Sequence, residues 1–484
     1  MFTTLKEALE ENKRTKNPYL DLGDLGLNGS EIELQELEKF YWITTILFSK
    51  EGIIYDNLTD KLDYKRTDNY GTDNFISFPL LYLPKQLNAL MLCGTLRNSN
   101  LQNMSFLENH HLLESLDVSY NQNLDISVLR NLKNLRMLRL ERNQKIVNID
   151  IIQHFTELKF LHINSCQIDF LNFLQNLENL MDLRISTCDN IFLDTKNIST
   201  LTSLQKLTEL TIVNDYSILE VKLPALTDIS FLSNLGRLRC FSLFYGKVTD
   251  FTPLQNLINL EEINIALKSN NCNTYQKIIL PLQELKNIKS LIIAIDYPTT
   301  LDISFIKNMK HLITLDITGA GILDISVLEN CDELTFINLR NNQISDISVL
   351  KSLKKLVNLN LSENKITNIQ ALENLTKLEE LILYRNQIAD IRPIKMLEKI
   401  QHSNVSYNPF IPPIWIIKQH YTGQFANYIH LEEPVFSTQI CQLLATKYID
   451  NVKLAQQLAK SQNWKDEDFE DYVQYYQVSH FLNQ

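Results

Sequence analysis

The sequence has little glycine, no long uncharged apolar run and no excess of positive charge. Only 11 of its 484 residues are glycine, against an average usage of about 7%, which excludes calcium-binding repeats that need dense glycine and aspartate. The run of about 18 apolar residues that a membrane-spanning helix requires does not occur. The net charge of −11 provides no basic stripe for nucleic acid and no polybasic patch for anionic lipid. We therefore expect neither nucleic acid nor a membrane as a partner.

The motifs of common enzymes are missing as well. The chain contains no P-loop, no dinucleotide-binding fingerprint, no HExxH sequence and no GxSxG elbow. His110 and His111 are adjacent but have no third ligand at a useful spacing, which predicts ordinary surface or packing histidines. We expect no catalytic activity, no metal, no cofactor and no small-molecule substrate.

The cysteines and the first residues indicate a cellular compartment. Seven cysteines form an odd set without a CxxC pair, which predicts reduced, buried thiols. The segment Met1–Arg14 is charged and predicts an amphipathic helix rather than a secretory signal. We expect a cytoplasmic protein.

Leucine, in contrast, is abundant and unevenly distributed. It accounts for 80 of the 484 residues, 74 of them before Pro409 and only 6 from there on. The chain is too long for one ordinary core, and one residue type at this density indicates a short pattern used many times. The change in leucine content predicts a domain boundary near residue 408.

A 22-residue repeat is continuous near the end of the leucine-rich region. The pattern L-x-x-I-x-L-x-x-N-x-I begins at Leu334, and the same spacing returns at Leu356, Leu378 and Ile400. Its first half alternates as a half-buried strand does. Its second half, such as Asp346–Leu353, has the apolar spacing of a short helical or 3₁₀ segment after a capping aspartate. One repeat is thus one strand and one short return segment.

The register extends through most of the chain and carries a family resemblance. Sixteen strands are predicted, with central residues at Leu20, Ile46, Leu90, Leu116, Leu138, Leu161, Leu183, Leu210, Phe241, Ile263, Leu291, Leu315, Ile337, Leu359, Leu381 and Ser403. The pattern resembles leucine-rich-repeat proteins, and its unit is similar to that of internalin-like and phosphatase-regulatory members. The opening segment Glu11–Leu27 resembles the start of intracellular bacterial members. The resemblance covers residues 19–408 and implies an α/β solenoid, a horseshoe with about 16 parallel strands on its concave face and 3₁₀ or helical segments on its convex face.

The ninth position of the repeat is polar and recurrent. An asparagine there can bond backbone groups left unpaired where the chain leaves each strand. We interpret the following residues as a structural ladder, in which two cysteines substitute for asparagine: Asn121, Asn143, Cys166, Cys188, Asn342, Asn364, Asn386 and Asn408.

The repeat is interrupted at two places. A long polar loop, either free or ordered against a flank of the array, is predicted at residues 49–78. The middle of the array, residues 214–301, is irregular, with units longer than 22 residues. Insertions in a repeat array form loops on one face, and such loops often bind partners.

Residues that point away from the core are polar in the regular repeats, as at Asp117 and Ser119, but apolar in the irregular middle. We predict that a partner protein contacts a central patch of exposed apolar side chains. Two alternatives remain: the inserted loops cover these side chains, or the strand at Ile292 is shifted by one residue, which reverses its faces. The predicted patch consists of Phe244, Tyr245, Leu267, Ile292 and Ile295.

The array needs caps at both ends because its terminal repeats expose apolar edges. Residues 1–18 predict an N-terminal helical cap, and residues 409–484 predict a C-terminal helical cap or a small helical module that binds a partner. Helical patterns in the second region cover about 437–449, 451–461 and 466–482.

The sequence thus predicts a non-enzymatic scaffold that binds a partner protein through its concave face near the centre. One alternative is a regulatory subunit that docks on an enzyme such as a phosphatase. A second alternative is an inhibitor or immunity-type protein that blocks the active site of another protein. Fold alone does not choose among them.

Overall fold

The protein forms strands at all sixteen positions where the repeat predicts them. The computed structural model describes residues 4–22, 25, 27, 32–48, 52–56, 61–65, 83–93, 101, 104–121, 123–143, 145–164, 166, 168, 170–187, 199–214, 226–267, 281–295, 300–405, 407–409, 429–430, 449–461, 469 and 473. The strands are β1 (Tyr19–Asp21), β2 (Thr45–Leu47), β3 (Gly52–Asp56), β4 (Lys61–Lys65), β5 (Ala89–Met91), β6 (Ser115–Asp117), β7 (Asn123–Asp125), β8 (Met137–Arg139), β9 (Lys145–Val147), β10 (Phe160–Ile163), β11 (Asp182–Thr187), β12 (Glu209–Asn214), β13 (Cys240–Gly246), β14 (Glu262–Leu267), β15 (Ser290–Ile295), β16 (Thr314–Thr318), β17 (Phe336–Asn338), β18 (Asn358–Asn360), β19 (Glu380–Ile382), β20 (His402–Asn404) and β21 (Ile429–His430). The predicted leucine-rich-repeat fold is confirmed.

The chain divides into two compact units, Met1–Leu260 with Asn264–Leu267, and Glu261–Ile263 with Lys268–Gln484. In the first unit, β1, β2, β5, β6, β8, β10, β11, β12 and β13 pair in that order as a parallel sheet. In the second unit, β15 to β20 pair in chain order, again in parallel, and β21 pairs with β20.

The core of each unit lies on one side of its sheet because side chains alternate along a strand. In the first unit, Leu116 pairs in register with Leu138, and both are buried. In the second unit, Leu315 pairs with Ile337 in the same way. The side chains between these inward residues point to the opposite face, which is the concave face of a leucine-rich-repeat protein.

Short 3₁₀ segments return the chain from one strand to the next. An aspartate caps many of them: Oδ1 of Asp346 accepts the amide of Ser348 at 2.8 Å, and Asp324 accepts that of Ser326 at 2.7 Å. Such Asx turns satisfy an amide that has no partner within the segment. The segments are Ile32–Lys39, Ser105–Leu107, Ser127–Asn131, Ile149–His154, Asn172–Leu174, Thr200–Ser203, Ser230–Asn234, Thr252–Asn256, Ser304–Asn308, Ser326–Asn330, Ser348–Ser352, Gln370–Leu372 and Arg392–Met396.

The helix α1 (Leu5–Thr15) precedes the first strand. The hydroxyl of Thr4 caps its start by accepting the amide of Glu7, and its end adopts a left-handed backbone at Lys16. The indole N–H of Trp42 donates to Oδ1 of Asn12 at 2.7 Å, which fixes the helix to the segment before β2. At the other end of the chain, the described helix is α2 (Ile449–Ser461); most of the other two predicted helices lie outside the described residues.

Part of the segment predicted as a polar loop, residues 49–78, forms a hairpin instead. The strands β3 and β4 pair in antiparallel fashion, with Ile54 opposite Asp63. The short run from Ile53 to Tyr55 favours a strand because β-branched and aromatic residues are common in strands. The hairpin lies against the parallel sheet of the first unit, where β3 contacts β5, β6 and β8.

Candidate functional site

The concave face at β2, β5 and β6 is buried. Met91 and Ser119, which point away from the leucine core, are buried, and Asp117 is 0% exposed. Leu47, Met91 and Cys93 form a buried apolar cluster on the same face. Because β3 contacts β5 and β6, which carry Met91 and Asp117, we attribute the burial of these two side chains to the hairpin.

A buried ion-pair network lies on the same face and joins β6 to β8, both of which β3 contacts. Arg139 on β8 donates to Oδ2 of Asp117 on β6 at 2.9 Å, and it also pairs with Glu141. Burial by itself would lower the pKa of Arg139, but the charges of Asp117 and Glu141 raise it above its ordinary value. The guanidinium therefore remains charged and ties two repeats together.

A histidine lies in the next part of the network. Nε2 of His162, which is 2% exposed, lies 3.0 Å from Oδ2 of Asp182, and Arg184 lies 3.2 Å from the same oxygen. Burial would raise the pKa of Asp182, but the hydrogen bond from His162 and the nearby charge of Arg184 outweigh it and hold this pKa below 3.8. Paired charges of this kind specify how neighbouring strands pack, and they leave few of these groups available to a partner.

The character of the face changes to apolar at β12 and β13. Val213 on β12 pairs in register with Phe244 on β13, and both side chains are half-buried. Tyr245 follows and is 39% exposed. The sequence predicted Phe244 and Tyr245 as contacts but missed Val213, although Leu210 at the centre of β12 places Val213 at the same repeat position as Phe244.

The other predicted contacts belong to β14 and β15. Leu291 and Ile293 on β15 are buried, and Ile292 between them is half-buried and points to the concave face. The strand register at Ile292 is therefore the predicted one, without a one-residue shift. The side chains of Leu267 and Ile295 lie outside the described residues, as do the loops 215–225, 268–280 and 296–299, so the joint patch stays a prediction.

The concave face of the second unit is polar and partly exposed. Asn338 donates to Oδ2 of Asp316 at 3.0 Å, and Asn358 donates to Oε2 of Glu380 at 2.6 Å. These bonds link β16 to β17 and β18 to β19, and all four side chains are half-buried. This region can therefore offer hydrogen bonds to a partner.

In eight repeats the residue just before the ninth repeat position adopts a left-handed backbone, with φ between 53° and 73°. Glycine and asparagine accept this conformation best, and other residues hold it at a cost of the order of 1 kcal/mol each. Large or charged residues nevertheless occupy most of these positions, which suggests that their side chains serve another purpose. The non-glycine residues in this position are Tyr120, Arg142, Tyr245, Asn341, Glu363, Arg385 and Tyr407.

The ninth position carries a ladder of hydrogen bonds. In the second unit, Oδ1 of Asn364 accepts the amide of Ile344 at 3.0 Å, and its Nδ2 donates to the carbonyls of Leu339 and Leu361 at 2.9 and 3.1 Å. Asn386 and Asn408 repeat this arrangement, as does Asn342.

The first unit carries a similar ladder at the same position. Asn121 and Asn143 are buried, and Nδ2 of Asn143 donates to the carbonyl of Leu140 at 2.8 Å. The thiol of Cys166 donates to that carbonyl at 2.8 Å as well. Cys188, the remaining predicted member, lies outside the described residues.

Metal-ligand clusters and membrane-spanning helices are both absent from the described part of the chain. Within it, no group of three or more His, Cys, Asp or Glu side chains is arranged to hold a metal ion. In the same residues, no helix combines the length and the apolar character needed to span a membrane.

Comparison with known families and proteins gives local sequence matches. A profile described as leucine-rich repeats (2 copies) matches residues 332–374 and 354–396. The volume-regulated anion channel subunit LRRC8A of Homo sapiens is 29% identical over 182 residues, as is that of Mus musculus. The match covers 36% of this chain and only 20% of the channel subunit.

Comparison with solved structures gives broader matches. An internalin from Listeria monocytogenes is 28% identical, with a TM-score of 0.53, over 66% of this chain and 87% of the internalin. A leucine-rich-repeat protein of Leptospira interrogans has a TM-score of 0.58 at 17% identity, over 89% of this chain and 99% of the other. The second likeness, at this identity, concerns the fold alone.

Proposed function

Because the chain is a leucine-rich-repeat protein with units similar to those of an internalin, we propose that it binds a partner protein through the concave face around β13. A preformed parallel sheet presents its side chains in fixed positions, so little conformational entropy is lost on binding. The proposal is supported by the surface of the first unit, where the hairpin covers one end of the face and β13 lies away from it.

The observation that carries the proposal is the exposed aromatic residue at the end of β13. Tyr245 is 39% exposed, and Phe244 and Val213 lie beside it on the same sheet. Aromatic side chains are favoured interface hot spots because they bury a large area with few rotatable bonds. Tyr245 also holds a left-handed backbone, with φ at 59°, that asparagine would adopt at lower cost. An interface role accounts for a tyrosine at this position better than stability does.

The remaining predicted contacts, Ile292, Leu267 and Ile295, stay part of the proposal. Within the second unit, the side chain of Ile292 points to the concave face and is half-buried. Asp316 is its register partner on β16, so the apolar surface gives way to polar surface there. A partner suited to this surface would present an apolar centre and a polar edge, as protein interfaces commonly do.

Affinity capture from native lysate tests the proposal with the full chain as bait. The variants are Phe244→Asp and Tyr245→Asp; the second is chosen because aspartate tolerates a left-handed backbone and should leave folding intact. Ile258→Asp is the matched control, since Ile258 is 63% exposed in the turn after the 3₁₀ segment Thr252–Asn256 and receives the same charge. Thermal unfolding of each variant separates loss of binding from loss of fold.

We expect one or more proteins to be captured by the wild type and by Ile258→Asp but not by either β13 variant. Captured proteins that are identical for all four baits would show that β13 is not the binding surface. A Tyr245→Asp variant that folds normally and still captures every protein would refute the role of this tyrosine, whatever happens to Phe244→Asp.

A further inference from the structure

We propose that Arg385, with Tyr384 and Tyr407, forms a site that binds one carboxylate side chain of the partner protein. This inference rests on the proposed function and adds the chemistry of the recognised group. The rings of Tyr384 and Tyr407 meet edge to face, with centroids 5.0 Å apart and an interplanar angle of 76°. The guanidinium carbon of Arg385 lies 5.1 Å from the first centroid and 5.3 Å from the second.

The position of the guanidinium leaves its hydrogen-bonding groups available. Arg385 is exposed, and Tyr407 is 51% exposed. A guanidinium held against aromatic rings is a planar donor whose edge can bind a carboxylate through two parallel hydrogen bonds. The rings also supply the aromatic surroundings that are common at interface hot spots.

Arg385 has no acidic partner in the described part of the chain, whereas neighbouring arginines do. Arg340 lies 3.0 Å from Glu363, and Arg392 lies 2.7 Å from Asp390. The contacts of Arg385 among the described residues are with the two tyrosine rings. No carboxylate of the described residues therefore occupies the donors of Arg385.

The backbone at these residues argues against a purely structural role. Arg385 and Tyr407 have φ values of 53° and 57°. The same repeat position holds Asn341 and Gly319, which suit a left-handed backbone better. The arginine and tyrosine therefore occupy positions whose backbone conformation favours glycine or asparagine.

A similar pair occurs independently in the first unit. Arg142 lies 5.5 Å from the ring centroid of Tyr120, is exposed, and has φ at 53°. Tyr120 and Arg142 are 22 residues apart, as are Arg385 and Tyr407, and each of the four precedes a ladder asparagine. Two occurrences at equivalent repeat positions support a shared role.

The charge of the whole chain selects the class of ligand. A net charge of −11 repels a polyanion such as nucleic acid, and each site offers one guanidinium rather than a cluster. A single aspartate or glutamate side chain in a protein segment fits this arrangement.

Selection from a random peptide library displayed on phage tests the inference with the full-length protein. The targets are the wild type, Arg385→Gln, Arg142→Gln and the matched control Arg340→Gln, whose arginine already pairs with Glu363. We expect aspartate and glutamate to be enriched in peptides selected by the wild type and by Arg340→Gln, and the enrichment to fall with Arg385→Gln. Arg142→Gln reports in the same way on the site in the first unit.

One enriched peptide is then titrated in a double-mutant cycle. Arg385→Gln and a glutamate-to-glutamine change in the peptide should each weaken binding about tenfold, and both changes together should weaken it little further. Arg385→Lys, which keeps the charge but not the planar donor, should also bind more weakly than the wild type.

Three results would overturn the inference: no selected peptides at all, selected peptides without acidic enrichment, or equal enrichment with Arg385→Gln and the wild type. Binding of peptides that lack acidic residues, if Tyr245→Asp abolishes it, would refute the carboxylate site while leaving the proposed function intact. Conversely, acid-specific binding that survives Tyr245→Asp would support the carboxylate site and count against β13 as the centre of the interface.

Discussion

Replacing Asn364 by alanine tests how much the asparagine ladder stabilises the second unit. Asn364 is only 8% exposed. Its side chain accepts a hydrogen bond from the amide of Ile344 and donates to the carbonyls of Leu339 and Leu361. Removal of the side chain leaves some of these backbone groups without a hydrogen-bond partner and others with one.

The two carbonyls keep a second donor. Asn342 also donates to the carbonyl of Leu339, and Asn386 also donates to that of Leu361, both at 2.9 Å. Only the amide of Ile344 is left without its partner. A buried unsatisfied group costs about 1–3 kcal/mol, and the weakened carbonyl bonds and the small cavity add to this. We therefore expect Asn364→Ala to lower the local free energy of unfolding by about 2–3 kcal/mol.

Native-state hydrogen exchange is a suitable assay because a repeat array need not unfold as one unit. The amides of Leu339 and Leu361, which donate to Asn360 and Ile382 at 2.8 Å, report on the repeats beside the substitution. Where the opening equilibrium sets the exchange rate, a loss of about 2 kcal/mol accelerates the exchange of these amides roughly 30-fold. Asn374→Ala is the control, since Asn374 is an exposed asparagine of the same unit. This substitution should change the local free energy of unfolding by no more than about 0.5 kcal/mol. Equal effects of the two substitutions would refute the calculation.

Three further predictions concern acid stability, thiol reactivity and backbone strain. The pKa of Asp182 lies below 3.8 in the folded protein because the bonds from His162 and Arg184 outweigh burial, so its stabilisation is present above pH 3.8 and is lost as the pH falls through the lower folded value. Urea denaturation of wild type and Asp182→Asn should therefore differ at pH 6 and converge towards pH 2; a constant difference would contradict this. Burial raises the pKa of the Cys331 thiol to about 11, so mass spectrometry after iodoacetamide treatment at pH 8 should find the half-exposed Cys240 modified and Cys331 intact until the protein is unfolded. Glu363→Asn should raise the free energy of unfolding by about 0.5 kcal/mol, because relief of the left-handed strain exceeds the loss of an exposed ion pair; a decrease would show that the strain is overestimated.

The strands were predictable because the core alone determines their spacing. A central residue such as Leu315 must face inward in every repeat, so the recurring apolar pattern locates the strands even where the interval between them exceeds 22 residues. The hairpin β3 and β4 was missed because its apolar run, Ile53–Tyr55, is short and lies within a polar segment. Its effect on the concave face was invisible for the same reason.

The candidate site was predictable only in part. Phe244, Tyr245 and Ile292 followed from repeat position, and the same reasoning applied to β12 would have added Val213. The burial of Asp117 could not be foreseen, because a distant segment covers it and no local pattern reports such a contact. The stacked arrangement of Arg385 depends on side-chain geometry, which sequence spacing does not specify.

The shared carbonyls of the ladder affect how the repeats can change over evolutionary time. The carbonyl of Leu140 accepts hydrogen bonds from the side-chain amide of Asn143 and from the thiol of Cys166. The cysteine, a weaker donor, thus bonds a carbonyl that an asparagine already bonds. One ladder residue can therefore drift to a weaker substitute without leaving a carbonyl unbonded. Loss of two adjacent members removes both donors to a shared carbonyl and should destabilise the array more than two separate losses, so the cost of a ladder substitution is expected to depend on its neighbours.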